Sequence, residues 1–286
     1  MLQSPSDLRR VRRLLMRSVL TWPAVALGLA AAGPAAAVAA SDDIPATRLA
    51  QAVYDRPVGR DLTTLSRMVL VERGRAPRER ELVTYRLDQG QGETANLMRF
   101  LGPEDIAGTG LLSVSKPGAD ADQWLYLPAL DRVRRIAGDR KGGRFVGSDL
   151  YFEDLQERSV AADRHRLLGQ ETLDGVNCQV LESVPLAPDN SVYLRRVSWV
   201  DPGTLVVVRV DYFERDERRP SKRWLGLQRK RMQSIWTTTE SAMTNLDSGH
   251  ETRLLIERAQ YNRKLPARLF SARSLGDENY EADFRP

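Results

Sequence analysis

Along most of the chain apolar residues recur at every second position, in short runs rich in Val, Leu, Tyr, Trp and Thr. That is the spacing of a β-strand with one face buried. The runs fall over Leu65–Glu72, Glu81–Asp88, Thr94–Leu101, Leu111–Ser115, Gln123–Leu127 and Arg132–Ile136, and then over Arg166–Leu173, Cys178–Val184, Val192–Val200, Leu205–Phe213, Arg231–Thr239 and Glu251–Tyr261. Helical spacing first appears at Thr47–Val53, where Leu49, Ala52 and Val53 share a face and Pro57 stops the run. Asp174-Gly175 and Asp201-Pro202-Gly203 read as tight turns, since Gly accepts positive φ and Pro presets the first bend. Strands joined by tight turns are antiparallel, so the pattern predicts a single domain built on one large, curved antiparallel sheet or open barrel. In Leu205–Phe213 one side carries Val206, Val208, Val210 and Tyr212, an apolar face that needs a cover. The candidate covers are the Thr47 helix and a short helix in Gly147–Arg158, capped by Ser148 or Asp149, with Tyr151, Phe152 and Leu155 as its stripe.

The first forty residues follow a different pattern. Arg9, Arg10, Arg12, Arg13 and Arg17 precede an uncharged run from Ser18 to Ala32, and Ala37-Val38-Ala39 ends it after the Gly33-Pro34 break. This order is that of a cleavable export signal over residues 1–39, leaving a domain over residues 40–286; the Gly-Pro break and small-residue end argue against a retained anchor. Arg12-Arg13-Leu14-Leu15-Met16 has a faint likeness to a twin-arginine signal. The single cysteine, Cys178, lies deep in the mature chain, which excludes both a lipid anchor at the cleavage point and an internal disulfide. The precursor's net charge of +5 belongs to the leader: without its five arginines and Asp7, 38 Lys+Arg stand against 37 Asp+Glu. Such a balance gives no general electrostatic attraction to nucleic acid or anionic membrane.

Catalytic chemistry finds few parts. His165 and His250, the two histidines, sit among charged or polar neighbours and read as surface positions; no paired cysteines, His-x-x-x-His or Gly-x-Ser-x-Gly accompany them. Asp120 with Asp122, or Asp149 with Glu153 and Asp154, are the carboxylate sets that glycoside hydrolysis or calcium would use, but neither has a calcium-loop spacing. Gly108-Thr109-Gly110 and Gly142-Gly143 are too short for a phosphate loop. Arg132–Arg144 is the one strongly basic patch; Arg132, Arg134 and Arg135 are candidates for meeting a lipid headgroup or an acidic partner, and the patch lacks the interleaved aromatics of a nucleic-acid site.

Three clustered motifs carry a family resemblance: Phe100-Leu101-Gly102-Pro103-Glu104-Asp105-Ile106-Ala107-Gly108-Thr109; Trp124-Leu125-Tyr126-Leu127-Pro128 with Arg132-Val133-Arg134-Arg135-Ile136; and Phe145-Val146-Gly147-Ser148-Asp149 with Tyr151-Phe152-Glu153-Asp154-Leu155. Together with Leu173-Asp174-Gly175 and Trp199-Val200-Asp201-Pro202, they resemble the outer-membrane lipoprotein-sorting (LolA-like) family over most of the mature chain. The resemblance implies a periplasmic carrier with a mainly β fold, a LolA/LolB-like curved antiparallel half-barrel of roughly eleven strands, with helices closing an apolar cavity for acyl chains. It implies no enzyme activity, no cofactor and no metal, a monomer, and cargo handed over by an inner-membrane exporter of the resistance-nodulation-division type. The candidate cavity and lid residues are Trp124, Tyr126, Tyr151, Phe152, Trp199, Val206, Val208, Val210 and Tyr212, with Gly147 as the flexible point. The rivals are an envelope-stress sensor on the same fold and a carboxylate-dependent envelope hydrolase using Asp149, Glu153 and Asp154.

Overall fold

The alternating runs fold as thirteen antiparallel strands in one open sheet, in a computed structural model that describes residues 43–286. The export signal expected over residues 1–39 lies outside the described residues. Strands β1 (Asp61–Val71), β2 (Arg78–Gly90), β3 (Glu93–Gly102), β4 (Gly110–Ser115), β5 (Asp122–Leu127) and β6 (Arg132–Arg135) step outward from the middle of the sheet to one edge. Residues 136–162, hereafter the strap, then cross to the opposite edge. From there β7 (Asp163–Leu173), β8 (Val176–Pro185), β9 (Arg195–Asp201), β10 (Val206–Phe213), β11 (Lys222–Met232), β12 (Ile235–Asn245) and β13 (Glu251–Tyr261) return to the middle, where β13 pairs with β1.

The hairpin at Asp174-Gly175 forms as its residues demand, with φ of 47° and 79°. The segment Arg231–Thr239 is not one strand: it straddles a two-residue turn at Gln233-Ser234, both at positive φ, between β11 and β12. β11 escapes the alternation test because Lys222, Arg223, Arg229, Lys230 and Arg231 hide its strand character. In β10 the register slips between Val207 and Arg209, a bulge that inserts one extra residue. Val208 therefore joins Trp199 and Phe213 on one face while Val210 and Tyr212 point to the other, which breaks the single apolar stripe expected there.

Helix α1 (Ile44–Tyr54) is capped by the Asp43 carboxylate, which accepts from the Ala46 amide at 3.4 Å. Its Ala46, Leu49 and Ala50 pack on Leu181 and Val200. No α-helix forms in 147–158. Val146 and Gly147 are both left-handed (φ 44° and 74°), and the Ser148 hydroxyl donates back to the Phe145 carbonyl at 2.7 Å. The Asp154 carboxylate takes the Tyr151 amide at 2.7 Å, so the strap is held by side chains, with single 3-10 turns at Phe145–Gly147 and Glu153–Leu155.

Residues opposite one another across a ladder share a face. On the strap face Met68, Leu70, Leu82, Phe100 and Leu111 lie under Phe145, Phe152 and Leu155. On the reverse, Val83, Tyr85, Leu97 and Leu112 lie under the C-terminal segment through Leu265, Leu269, Phe270 and Leu275, the last of which ends the four-residue helix α2 (Ala272–Leu275). That segment is pinned by a fully buried ion pair between Arg99 and Glu281, with Arg99 also donating to the carbonyls of Gly108 (2.8 Å) and Leu275 (3.0 Å).

Candidate functional site

The strap face gathers polar chemistry in one place. Lys222 of β11, with no solvent exposure, donates from Nζ to the Asp154 carboxylate (2.7 Å) and the Asp149 carbonyl (3.2 Å). Its ammonium lies 3.4 Å from the centroid of the Tyr151 ring, with Tyr193 and Tyr212 at 5.1 and 5.5 Å, a cage in which cation–π attraction replaces lost water. Asp154 also accepts from the Tyr193 hydroxyl at 2.6 Å. Burial, with the Glu214 carboxylate adding to it, pushes the Tyr151 hydroxyl up to about 12, and burial raises Tyr193 and Tyr212 as well.

The remaining acids of this segment are equally occupied. Asp149 accepts from the Thr252 hydroxyl (2.8 Å), from Arg144 (3.1 Å) and from His250. Glu153 accepts from the Ser191 hydroxyl (2.5 Å) and the Val192 amide (2.7 Å). His250 and His165, expected on the surface, are both buried. The strap encloses them: His250 meets Asp149, and His165 bonds Ser183 and the Val160 carbonyl, each at 2.9 Å. Asp149, Glu153 and Asp154 thus tie the strap to the loop before β9, to β11 and to the start of β13, and each has its oxygens engaged. Among the described residues no cluster of three or more His, Cys, Asp or Glu is placed to hold a metal ion.

Beyond Leu155 of the strap, the same face opens. A cleft of about 520 Å³ runs between the C-terminal end of α1 and strands β1 and β10–β13, lined by apolar side chains that include Val53, Leu62, Val207, Trp224 and Ile256. Its polar groups sit among them: Arg56, and Arg86 bonded to Glu157 at 2.7 Å. The volume lies within the roughly 300–1,000 Å³ of small-molecule sites, and an apolar lining with a few placed polar groups is their usual composition.

The residues proposed from sequence divide between several places. Val206 lines the cleft, and Val210 lies opposite the cleft residue Trp224 on the same face. Tyr151 and Tyr212 form the Lys222 cage, and Phe152 packs edge-on to Phe145 at 5.9 Å. Trp124 and Tyr126 are on the reverse face against the C-terminal segment, and Trp199 and Val208 share that face, with the Arg209 guanidinium 4.0 Å above the Trp199 ring. Arg132, Arg134 and Arg135 are exposed on edge strand β6, where Arg135 bridges to Asp122. Cys178 is a free, buried thiol whose pKa is raised by burial. Leu62, Trp224, Ile256 and Arg56 were not among the sequence candidates. The pairings Val210↔Trp224 and Leu62↔Tyr261, which bring such residues together, are set by register and appear in no local motif.

Comparison with known proteins fits this geometry. Residues 92–277 match the model of a family described as uncharacterized proteins. Among solved structures the chain is similar to a DUF1329 family protein from Desulfovibrio piger, at 29% identity and TM-score 0.77, over 82% of this chain and 100% of that one. It is similar to a putative outer membrane lipoprotein-sorting protein domain from Vibrio parahaemolyticus at 28% identity and TM-score 0.76, over 80% and 97% of the two chains. A LolA superfamily protein from Nitrosomonas europaea shares the fold at 15% identity and TM-score 0.62, over 81% and 98%. No protein of curated function matches. The resemblance to lipoprotein-sorting, LolA-like proteins expected from the three motifs is borne out by these structures.

Proposed function

We propose, for a chain that belongs to the family of uncharacterized proteins matched over residues 92–277, a non-enzymatic carrier that holds lipid or lipoprotein acyl chains in the cleft beside α1. The observation that carries this reading is the apolar space of about 520 Å³ on the strap face, which the protein's own side chains leave open. In this reading the sheet acts as a half-barrel, α1 closes one side of its hollow, and the strap fills the other. Burial of an acyl chain supplies about 0.8 kcal/mol per methylene, or roughly 10 kcal/mol for a dozen, so extraction from a competing site needs no covalent step. Part of that gain offsets the freedom lost on binding, which leaves the chain releasable to an acceptor. The similarity to an outer membrane lipoprotein-sorting domain supports a place of work in the periplasm. In this reading the chain arrives there through the signal over residues 1–39 and takes its cargo from an inner-membrane exporter. The hydrolase reading has less support, because Asp149, Glu153 and Asp154 all spend their oxygens on holding the strap.

The test is native mass spectrometry of the protein purified from its own periplasm, paired with lipid extraction. A hydrophobic molecule that travels with the protein is expected. Protein that arrives empty and takes up no lipid from vesicles would overturn the reading.

A further inference from the structure

The charges around the cleft are not balanced. Of the arginines that line it, Arg86 is paired with Glu157 at 2.7 Å and Arg158 with Asp163 at 2.7 Å. Among the described residues, Arg56 alone of these three has no carboxylate within 4.0 Å, and its guanidinium makes one long hydrogen bond, 3.4 Å, to the Trp236 carbonyl. Asp55, the neighbouring acid, is turned to Gln51 at 2.9 Å. Arg56 is nevertheless half-buried, and burial lowers its pKa from the ordinary value. A cation that loses water without gaining a counter-charge is costly, and a structure keeps one where something else supplies the charge. With Glu157 neutralised by Arg86, the cleft carries one positive charge unpaired among the described residues, beside an apolar floor of Leu62, Val207, Trp224 and Ile256.

We infer that the cleft selects amphiphiles with one anionic head, a carboxylate or a phosphate, which Arg56 meets while the chain lies on the apolar floor. The inference rests on the carrier reading and adds to it the charge of the cargo. A guanidinium presents its N–H groups in a planar fork that matches the paired oxygens of either head, whereas an alcohol or ester head offers no charge to it. Arg56 lies one residue beyond the end of α1, after its Asp55 cap, and precedes Pro57, so its backbone is held at the cleft's end without help from a bound molecule.

The test is displacement of N-phenyl-1-naphthylamine, a neutral apolar probe, by palmitate, by 1-palmitoyl lysophosphatidate and by hexadecanol, each below its aggregation limit at pH 8. The anions should displace the probe from the wild type at about tenfold lower concentration than the alcohol, the lower range of a hydrogen bond to a charged group. Arg56→Gln, folded by circular dichroism, should bring the three ligands to within about twofold, and Arg56→Lys should keep part of the preference. Arg73→Gln, exposed in the turn between β1 and β2, should leave the wild-type order unchanged. A preference limited to palmitate identifies the head as a carboxylate; one shared by the lysophosphatidate extends it to phosphate. Equal displacement by palmitate and hexadecanol from the wild type overturns the charge selection and leaves the carrier standing. A wild type that binds neither probe nor any chain removes the carrier itself.

Discussion

Over β1–β4 the strap lays Phe145, Phe152 and Leu155 onto Met68, Leu82 and Phe100, whereas beside α1 the same face of the same sheet keeps Val207, Trp224 and Ile256 next to open space. Both regions of the sheet carry large apolar side chains, with Arg86, Thr237 and Thr238 added among those of the cleft, and what differs above them is the strap. Up to Leu155 it carries large apolar side chains; from there it continues as Gln156-Glu157-Arg158, which reach Gln123, Arg86 and Asp163 instead of covering the floor. Room for a guest is therefore a property of where the covering segment changes composition, not of the sheet beneath it.

Substitutions can break or sharpen that contrast. The largest effect on stability is expected at the filled end: Phe145→Ala removes a fully buried ring and should cost about 3–5 kcal/mol in chemical denaturation while leaving probe affinity at the cleft unchanged. A parallel loss of affinity would show that the two ends are not separate. Next is the tie between them. Lys222→Met leaves Asp154 without its cation but with the Tyr193 hydroxyl and Tyr151 amide, so the loss should be about 3 kcal/mol, the low end for a broken buried pair. The smallest change in stability belongs to the open end, where Thr238→Trp projects a ring into empty volume: about 0.5 kcal/mol or less in denaturation, against a loss of probe binding of about tenfold.

The sheet was largely legible because one buried face imposes a two-residue period, and the hairpin at Asp174-Gly175 because its φ values admit few residue types. β11 was not, since seven of its eleven positions, from Lys222 to Met232, are polar or glycine and its turn at Gln233-Ser234 contains neither Gly nor Asn. The bulge at Val208 was hidden for another reason: an inserted residue changes which face every later side chain takes, and nothing in the local composition of Val206–Val210 marks it. The buried roles of His165, His250 and Asp149 depend on contacts between the strap and strands far away in the chain, such as Asp149 with Thr252, and polar surroundings in sequence gave the opposite impression. Trp124 and Tyr126 belong to the second of the three motifs and yet face the C-terminal segment, a reminder that a dense motif marks tight packing as readily as it marks ligand contact.

The pairing of β1 with β13 joins residues 61–71 to residues 251–261 and is, among the described residues, the only ladder that links the two meanders. Each hairpin on either side closes a short loop, but this seam closes almost the whole polypeptide, the contact with the greatest entropic cost to bring together. During synthesis, β1 waits with one edge unsatisfied until nearly the entire chain has followed it. The wall of the cleft formed by Leu62 and Ile256 crosses that seam, so a binding-competent hollow exists only in a chain that has arrived in full.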